Sequence, residues 1–210
     1  YGVVYAPRLS SLTRGLLPGL VPVALVGGFI VVEDLGTGVL VACVACLVLL
    51  AAGARIVHFL LFVPFALAAF AGAVIASPYR VQRLATFLDP YAEPQGAGYH
   101  MIQSMVAVAN GEVFGRGLGF GLQKFGYLPE DRTDFLFAVI CEELGVAGAG
   151  LVIGLYLLLM WCGLAIVRRE PNPMLKLVAL GVVATVGAQA LINLAVVTGL
   201  GPTKGIALPM

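Results

Sequence analysis

Five apolar runs, over residues 16–32, 35–52, 56–77, 144–167 and 177–198, contain no Asp, Glu, Lys or Arg. Each is close to the ~20 residues that cross a ~30 Å hydrocarbon core as a helix. Lipid offers the backbone no hydrogen-bond partners, so segments of this kind must pair their N–H and C=O groups internally, and helices do so most simply. The expected fold class is therefore an all-α membrane protein, a polytopic transmembrane helix bundle. Only 11% of the residues are charged and 60% are hydrophobic, whereas soluble domains carry about 25% charge. The first two runs are split by Glu33-Asp34 alone, so a broken or re-entrant pair is the alternative to two separate helices there. The chain opens at Tyr1 and stops at Met210 after a turn, and it is expected to be part of a longer protein with further helices.

Lys and Arg orient the runs. With the start of the chain cytoplasmic, the inner connections hold Arg8, Arg14, Arg55, Arg168, Arg169 and Lys176, while the outer turns hold only Lys204 and no basic residue at Glu33-Asp34. The positive-inside rule favours that choice. It divides a single membrane domain over 1–210 into transmembrane helices over 16–77, an extracytoplasmic loop over 78–134, two helices over 135–198 and an outer turn over 199–210. A loop of that length is expected to carry short helices and a function. His100–Asn110 is one such helix, with Met101, Ile102, Met105, Val106 and Ala109 on its apolar face. The formal net charge of +1 gives no nucleic-acid signal. Cys43 and Cys46 form a CxxC inside an apolar run with no second pair, which reads as small buried residues rather than zinc or redox chemistry. Gly15-x-x-x-Gly19 and Gly150-x-x-x-Gly154 are expected to serve helix packing.

The chemistry should lie where charge meets the mouth of a membrane segment, because ionisable groups there are costly unless used or paired. Lys124, Glu130, Asp131, Arg132 and Asp134 crowd the approach to the fourth run, and Glu142 and Glu143 follow. Asp134 is expected near a helix start: burial opposes its ionisation, while the helix terminus and Arg132 or Lys124 favour it. An ionised carboxylate in that place can accept a proton from a hydroxyl, hold a divalent cation, or simply cap the helix. On a continuous helix, Glu142 projects about 80° from Asp134 and Glu143 about 180°, so only one can share its face. Residues 115–121 alternate glycine four times. Such a loop is either a hinge or a cradle whose N–H groups approach phosphate, with Arg116 and Lys124 beside it. Asp34 is a cap or a ligand contact. His58 and His100 are read as structural.

Several blocks then resemble the SEDS family (shape, elongation, division and sporulation). They are Pro78-Tyr79-Arg80-x-x-Arg83, Phe87-Leu88-Asp89-Pro90, Gln95-Gly96-x-Gly98-Tyr99-x-x-x-Gln103-Ser104, Asp34-Leu35-Gly36-Thr37, Lys124 to Asp134, Glu142-Glu143-Leu144-Gly145, and Gly201-Pro202-Thr203-Lys204-Gly205-Ile206-x-Leu208-Pro209. The resemblance implies a bundle of ten membrane helices and a peptidoglycan glycosyltransferase of the bacterial cytoplasmic membrane. Such an enzyme polymerises lipid II at the outer face. The expected partner is a class B penicillin-binding protein, a transpeptidase, within the membrane machinery of division or elongation. The family's essential aspartate falls in a His-Thr-Asp-Phe block that here reads Arg132-Thr133-Asp134-Phe135, which makes Asp134 the expected catalytic residue. Arg116, Lys124, Glu130, Arg132, Thr133 and Lys204 are the expected substrate-binding residues, and Asp34, Glu142 and Glu143 supporting ones.

The family usually has Gln-Pro where this chain has Val32-Glu33. Its glycine-rich run usually starts Gly-Gly where this chain has Asn110-Gly111-Glu112. A divalent cation (Mg2+ or Mn2+) is the candidate cofactor, with ligands unknown, and no nucleotide is expected, there being no P-loop pattern. Tyr127-Leu128-Pro129-Glu130 resembles the division branch slightly more than the elongation branch. A lipid II flippase and a non-catalytic scaffold that activates the transpeptidase are the alternatives.

Overall fold

The computed structural model describes residues 1–96, 98–121, 134–202 and 208–209. In chain order these form α1 (Ala6–Leu9), a π-helical turn (Leu12–Leu16), α2 (Leu17–Glu33), α3 (Leu35–Ala51), α4 (Ile56–Ile75), α5 (Pro78–Leu88), α6 (Tyr99–Asn110), α7 (Leu136–Arg169) and α8 (Pro173–Val197). No strand occurs among the described residues. Leu12–Glu33, α4, α7 and α8 are long and apolar enough to cross a membrane. At 17 residues α3 is shorter, about 26 Å at 1.5 Å per residue. Large apolar side chains point outward along these helices: Phe29, Phe65 and Trp161 are exposed, and α4 buries none of its residues. In water such surfaces would aggregate; lipid is their natural solvent.

The chain divides into two compact units, residues 1–73 with 160–187, and residues 74–159 with 188–210. The first unit has an apolar centre. Leu9, Leu16 and Leu49 form its centre, and Leu12, Leu20, Phe59 and Phe62 pack on them. Asp34 alone joins α2 to α3. Its own N–H closes α2 on the Ile30 carbonyl at 2.8 Å. Its carboxylate accepts from the N–H groups of Gly36 (2.8 Å) and Thr37 (3.1 Å), and from the Thr37 hydroxyl. An Asp in extended backbone followed by free amides is the N-cap arrangement. It makes two separate helices of the pair rather than one broken element. The helices close on small residues: a Cβ on Gly38 would lie 2.4 Å from Val31 Cγ2 and 3.3 Å from the Gly27 carbonyl oxygen. Asn172 starts α8 in the same manner as Asp34 starts α3, its Oδ1 accepting from the Met174 N–H at 2.9 Å.

The second unit has a mixed interior. Ala107, Phe135, Phe137, Ala138, Cys141, Val196, Val197 and Leu208 form its apolar centre. Helix α6 lies where the sequence places it but turns a different face inward. Met101, Ser104 and Ala107 are buried, whereas Val106 and Ala109 are exposed. The cause is a partner that sequence spacing cannot reveal: the Ser104 hydroxyl donates to the Val197 carbonyl at 2.9 Å. That carbonyl is among the last of α8, which have no partner within the helix. Two further α8 carbonyls are met by a C-terminal turn through Gly199 (φ +73). There the Leu200 N–H reaches Ala195 at 2.7 Å and the Gly199 N–H reaches Val196 at 3.1 Å, the Schellman pattern. The helix expected from residue 135 starts at Leu136, ahead of the fourth apolar run, and takes Glu142 and Glu143 into it.

Replacing Asp34 by Ala removes the cap and should lower unfolding stability by about 1 kcal/mol, with Asn retaining most of it because its oxygen still accepts. Thermal unfolding of the three proteins in one detergent checks the order.

Candidate functional site

Five polar or charged residues are buried among those described: Thr86, Ser104, Asp134, Glu142 and Asn193. All of them belong to the second unit. Burying polar groups costs free energy unless they are satisfied, so their confinement to one unit makes it the candidate region for a site.

The centre of that unit is an interruption in α7. Gly145 has φ +65 and ψ −158, which no continuing helix contains. In an unbroken helix the Val146 and Ala147 N–H groups would donate to the Glu142 and Glu143 carbonyls. The interruption separates these four groups, and the glycine-rich loop supplies a partner for each. Val146 N–H donates to the Glu112 carbonyl at 3.0 Å and Ala147 N–H to the Val113 carbonyl at 3.2 Å. In return the Arg116 and Gly117 N–H groups donate to the Glu142 and Glu143 carbonyls, both at 3.0 Å. Residues 112–117 thus splint the broken helix, bond for bond.

The splint explains why glycine recurs here. A Cβ on Gly145 would fall 2.5 Å from the Gly115 nitrogen, and one on Gly115, itself at φ +74, would fall 2.1 Å from the Glu143 carbonyl oxygen. Glu112 has φ +44, a conformation that glycine adopts at no steric cost. That accounts for the Gly-Gly pattern from which this chain departs. The splint uses part of the loop that reads as either a hinge or a phosphate cradle. The N–H groups of Gly115, Arg116, Gly117 and Phe120 already donate to protein carbonyls. The Arg116 side chain is exposed.

The interruption leaves two acids side by side. Glu142 is fully buried, a situation a carboxyl tolerates only with hydrogen bonds or a counter-charge. A Cβ on Gly121 would lie 3.1 Å from Glu142 Oε2 and 3.1 Å from Glu143 Oε1. Both carboxylates therefore reach one point on the loop, although neighbours on an isolated helix project about 100° apart.

Asp134 sits in the turn that leads into α7 and is 9% exposed. The first helical bonds are made to the Phe135 carbonyl, from the Ala138 N–H at 2.9 Å and the Val139 N–H at 3.3 Å. The Asp134 carbonyl is taken instead by the Asn193 side-chain amide, which donates to it at 2.7 Å. The His100 ring stacks on the next residue, Phe135, at 6.2 Å between centroids and 17° between planes. Sequence reasoning read His100 as structural and passed over Asn193. An amide in the apolar run of α8, one of two there with Gln189, was the available signal for the latter. Asp34, far along the chain in the first unit, acts as a helix cap. Lys124, Glu130, Arg132, Thr133 and Lys204 lie outside the described residues. Among the described residues no group of three or more His, Cys, Asp or Glu could hold a metal ion.

Residues 4–210 match the model of a family described as "Cell cycle protein" and labelled FtsW/RodA/SpoVE. Stage V sporulation protein E of Bacillus subtilis is 41% identical over 205 residues, covering 96% of this chain and 56% of that protein. A probable peptidoglycan glycosyltransferase FtsW of Halomonas elongata is 41% identical over 210 residues, covering 98% of this chain and 53% of the relative. A solved structure, described as "Structural coordination of polymerization and crosslinking by a peptidoglycan synthase complex", superimposes with a TM-score of 0.73 at 27% identity, over 94% of this chain and 55% of that one. The chain spans about half the length of the curated relatives it matches.

The splint makes a prediction about stability. Gly145→Ala forces an L-residue to positive φ, which alone costs about 1–2 kcal/mol, and its methyl group collides with the loop backbone. The expected loss is at least about 2 kcal/mol in denaturant unfolding, with faster amide exchange over residues 112–117. Gly150, whose Cβ would meet no atom within 4 Å, is the control: Gly150→Ala should be neutral or stabilising by up to about 1 kcal/mol.

Proposed function

We propose that this chain, which belongs to the FtsW/RodA/SpoVE family of cell cycle proteins, carries the catalytic half of a peptidoglycan glycosyltransferase that polymerises lipid II at the outer face of the bacterial cytoplasmic membrane. The observation that carries the reading is Asp134. It is a nearly buried carboxylate at the start of a membrane-length helix, in the unit that holds every buried polar side chain described. The names borne by the relatives support the chemistry.

In this reading Asp134 is the general base. A sugar hydroxyl of one lipid-linked saccharide gives its proton to the carboxylate while its oxygen bonds to the anomeric carbon of another. The bond from that carbon to the lipid diphosphate breaks, and its electron pair leaves with the diphosphate. Negative charge grows on the leaving group and calls for a fixed positive partner. Arg116, Lys124, Arg132 and Lys204 are the candidates from this chain, with Glu130 and Thr133 beside them. Mg2+ or Mn2+ would neutralise the same charge. No step is assigned to the ion, because Glu142 and Glu143 supply only two carboxylates and the described residues hold no larger donor set. A class B penicillin-binding protein is the proposed partner, and the division machinery the proposed setting.

Two measurements test this. Full-length protein with its partner, supplied with labelled lipid II, should make glycan strands; Asp134→Asn should reduce the rate at least a hundredfold while the protein stays folded. Strands made at an undiminished rate by the variant would remove Asp134 from the chemistry, and translocation of lipid II without polymer would point to a flippase. Topology is read separately, in a protein whose native cysteines are replaced. An impermeant maleimide should label Tyr91→Cys in intact spheroplasts and Glu170→Cys only after permeabilisation; the reverse pattern discards the orientation.

A further inference from the structure

We propose that Asn193 is a positioning residue for the Asp134 carboxylate, an inference that rests on the reading of Asp134 as the base. A general base works only when its oxygen sits within hydrogen-bond reach of the proton it takes, and a misplacement of about 1 Å can cost a hundredfold in rate. Asp134 lies in a turn, where helical hydrogen bonds do not hold it. The bonds of α7 begin one residue later, at the Phe135 carbonyl. A donor from another helix reaches the Asp134 peptide: Asn193 Nδ2, 2.7 Å from the Asp134 carbonyl oxygen.

Three features suit Asn193 to this role. It is 2% exposed, so water does not compete for the bond. It sits in the last two turns of α8, next to a helix end anchored twice over, by the turn through Gly199 and by Ser104 from α6. And its bond goes to backbone, so it sets the direction of the peptide from which the carboxylate projects without itself engaging the carboxylate. The stack of His100 on Phe135 steadies the next residue. An amide is also the right chemistry: it donates without adding a charge that would alter the affinity of Asp134 for a proton.

The test compares full-length proteins assayed with their partner on labelled lipid II. Asn193→Leu keeps the volume and loses the donor; Asn193→Ala loses the donor without any steric demand. Each should lower kcat at least tenfold while the KM for lipid II stays within twofold and the melting transition remains cooperative. Asn193→His restores an N–H donor at similar reach and should recover kcat to within threefold of wild type. A kcat within twofold of wild type in the Leu and Ala proteins overturns the proposal. So does a histidine variant no better than the leucine one, because the donor would then be irrelevant. Asp134→Asn runs alongside: an inactive Asp134→Asn beside unimpaired Asn193 variants sinks the positioning role alone, whereas an active Asp134→Asn sinks the reading of the base itself.

Discussion

Every backbone amide and carbonyl that enters lipid must arrive with a partner, and the break in α7 is where this chain meets that requirement in the least ordinary way. An interruption at Gly145 frees four backbone groups at once, each worth several kcal/mol if left unpaired in hydrocarbon. Two carbonyls and two amides of the loop answer them. Because the match is complete, the chain can carry two buried or half-buried acids on a membrane-length helix and still keep its backbone satisfied. The loop owes its fixed shape to the helix, and the helix its tolerated defect to the loop.

The two units meet the same solvent differently. In the first, side chains do the ordinary work of a membrane bundle: leucine and phenylalanine pack inward, small residues let helices approach, and polar groups are spent on caps. In the second, Ser104, Asn193 and Thr86 join the acids inside. Two of those neutral groups donate to backbone carbonyls at helix boundaries, Ser104 at the end of α8 and Asn193 at the start of α7. Polar side chains at such boundaries recover carbonyls that no helix can satisfy, which lets a turn exist beside the lipid and places a carboxylate in it.

Much of this was legible in the chain alone, and the limits have physical causes. Apolar runs of membrane length announce helices, because the bilayer leaves little choice. The junction at Glu33-Asp34 was legible because capping is local: Asp34 and its partners lie within three residues. The break in α7 at Gly145 was not, since the groups that support it lie in the loop over 112–117. The inward face of α6 was misjudged for a related reason. Ser104 faces the core because of Val197, 93 residues away, and periodicity counts only neighbours. Glycines in the run 115–121 have a structural use as well: the Gly115 and Gly117 N–H groups donate to protein carbonyls. Asp134 came from resemblance and a local pattern; the amide that holds its peptide came only from the fold.

The one-residue junction between α2 and α3 has a mechanical consequence. With no linker to absorb change, Asp34 sets the rotational phase of the second rod against the first. One inserted residue would turn α3 by about 100° and slide it by about 1.5 Å. The Gly38 surface that now rests against Val31 and the Gly27 carbonyl would swing away, and a bulky residue would take its place. Length in this hairpin is therefore held as tightly as composition: a deletion or insertion here acts like a wrong gear tooth, felt along the whole helix rather than at the joint.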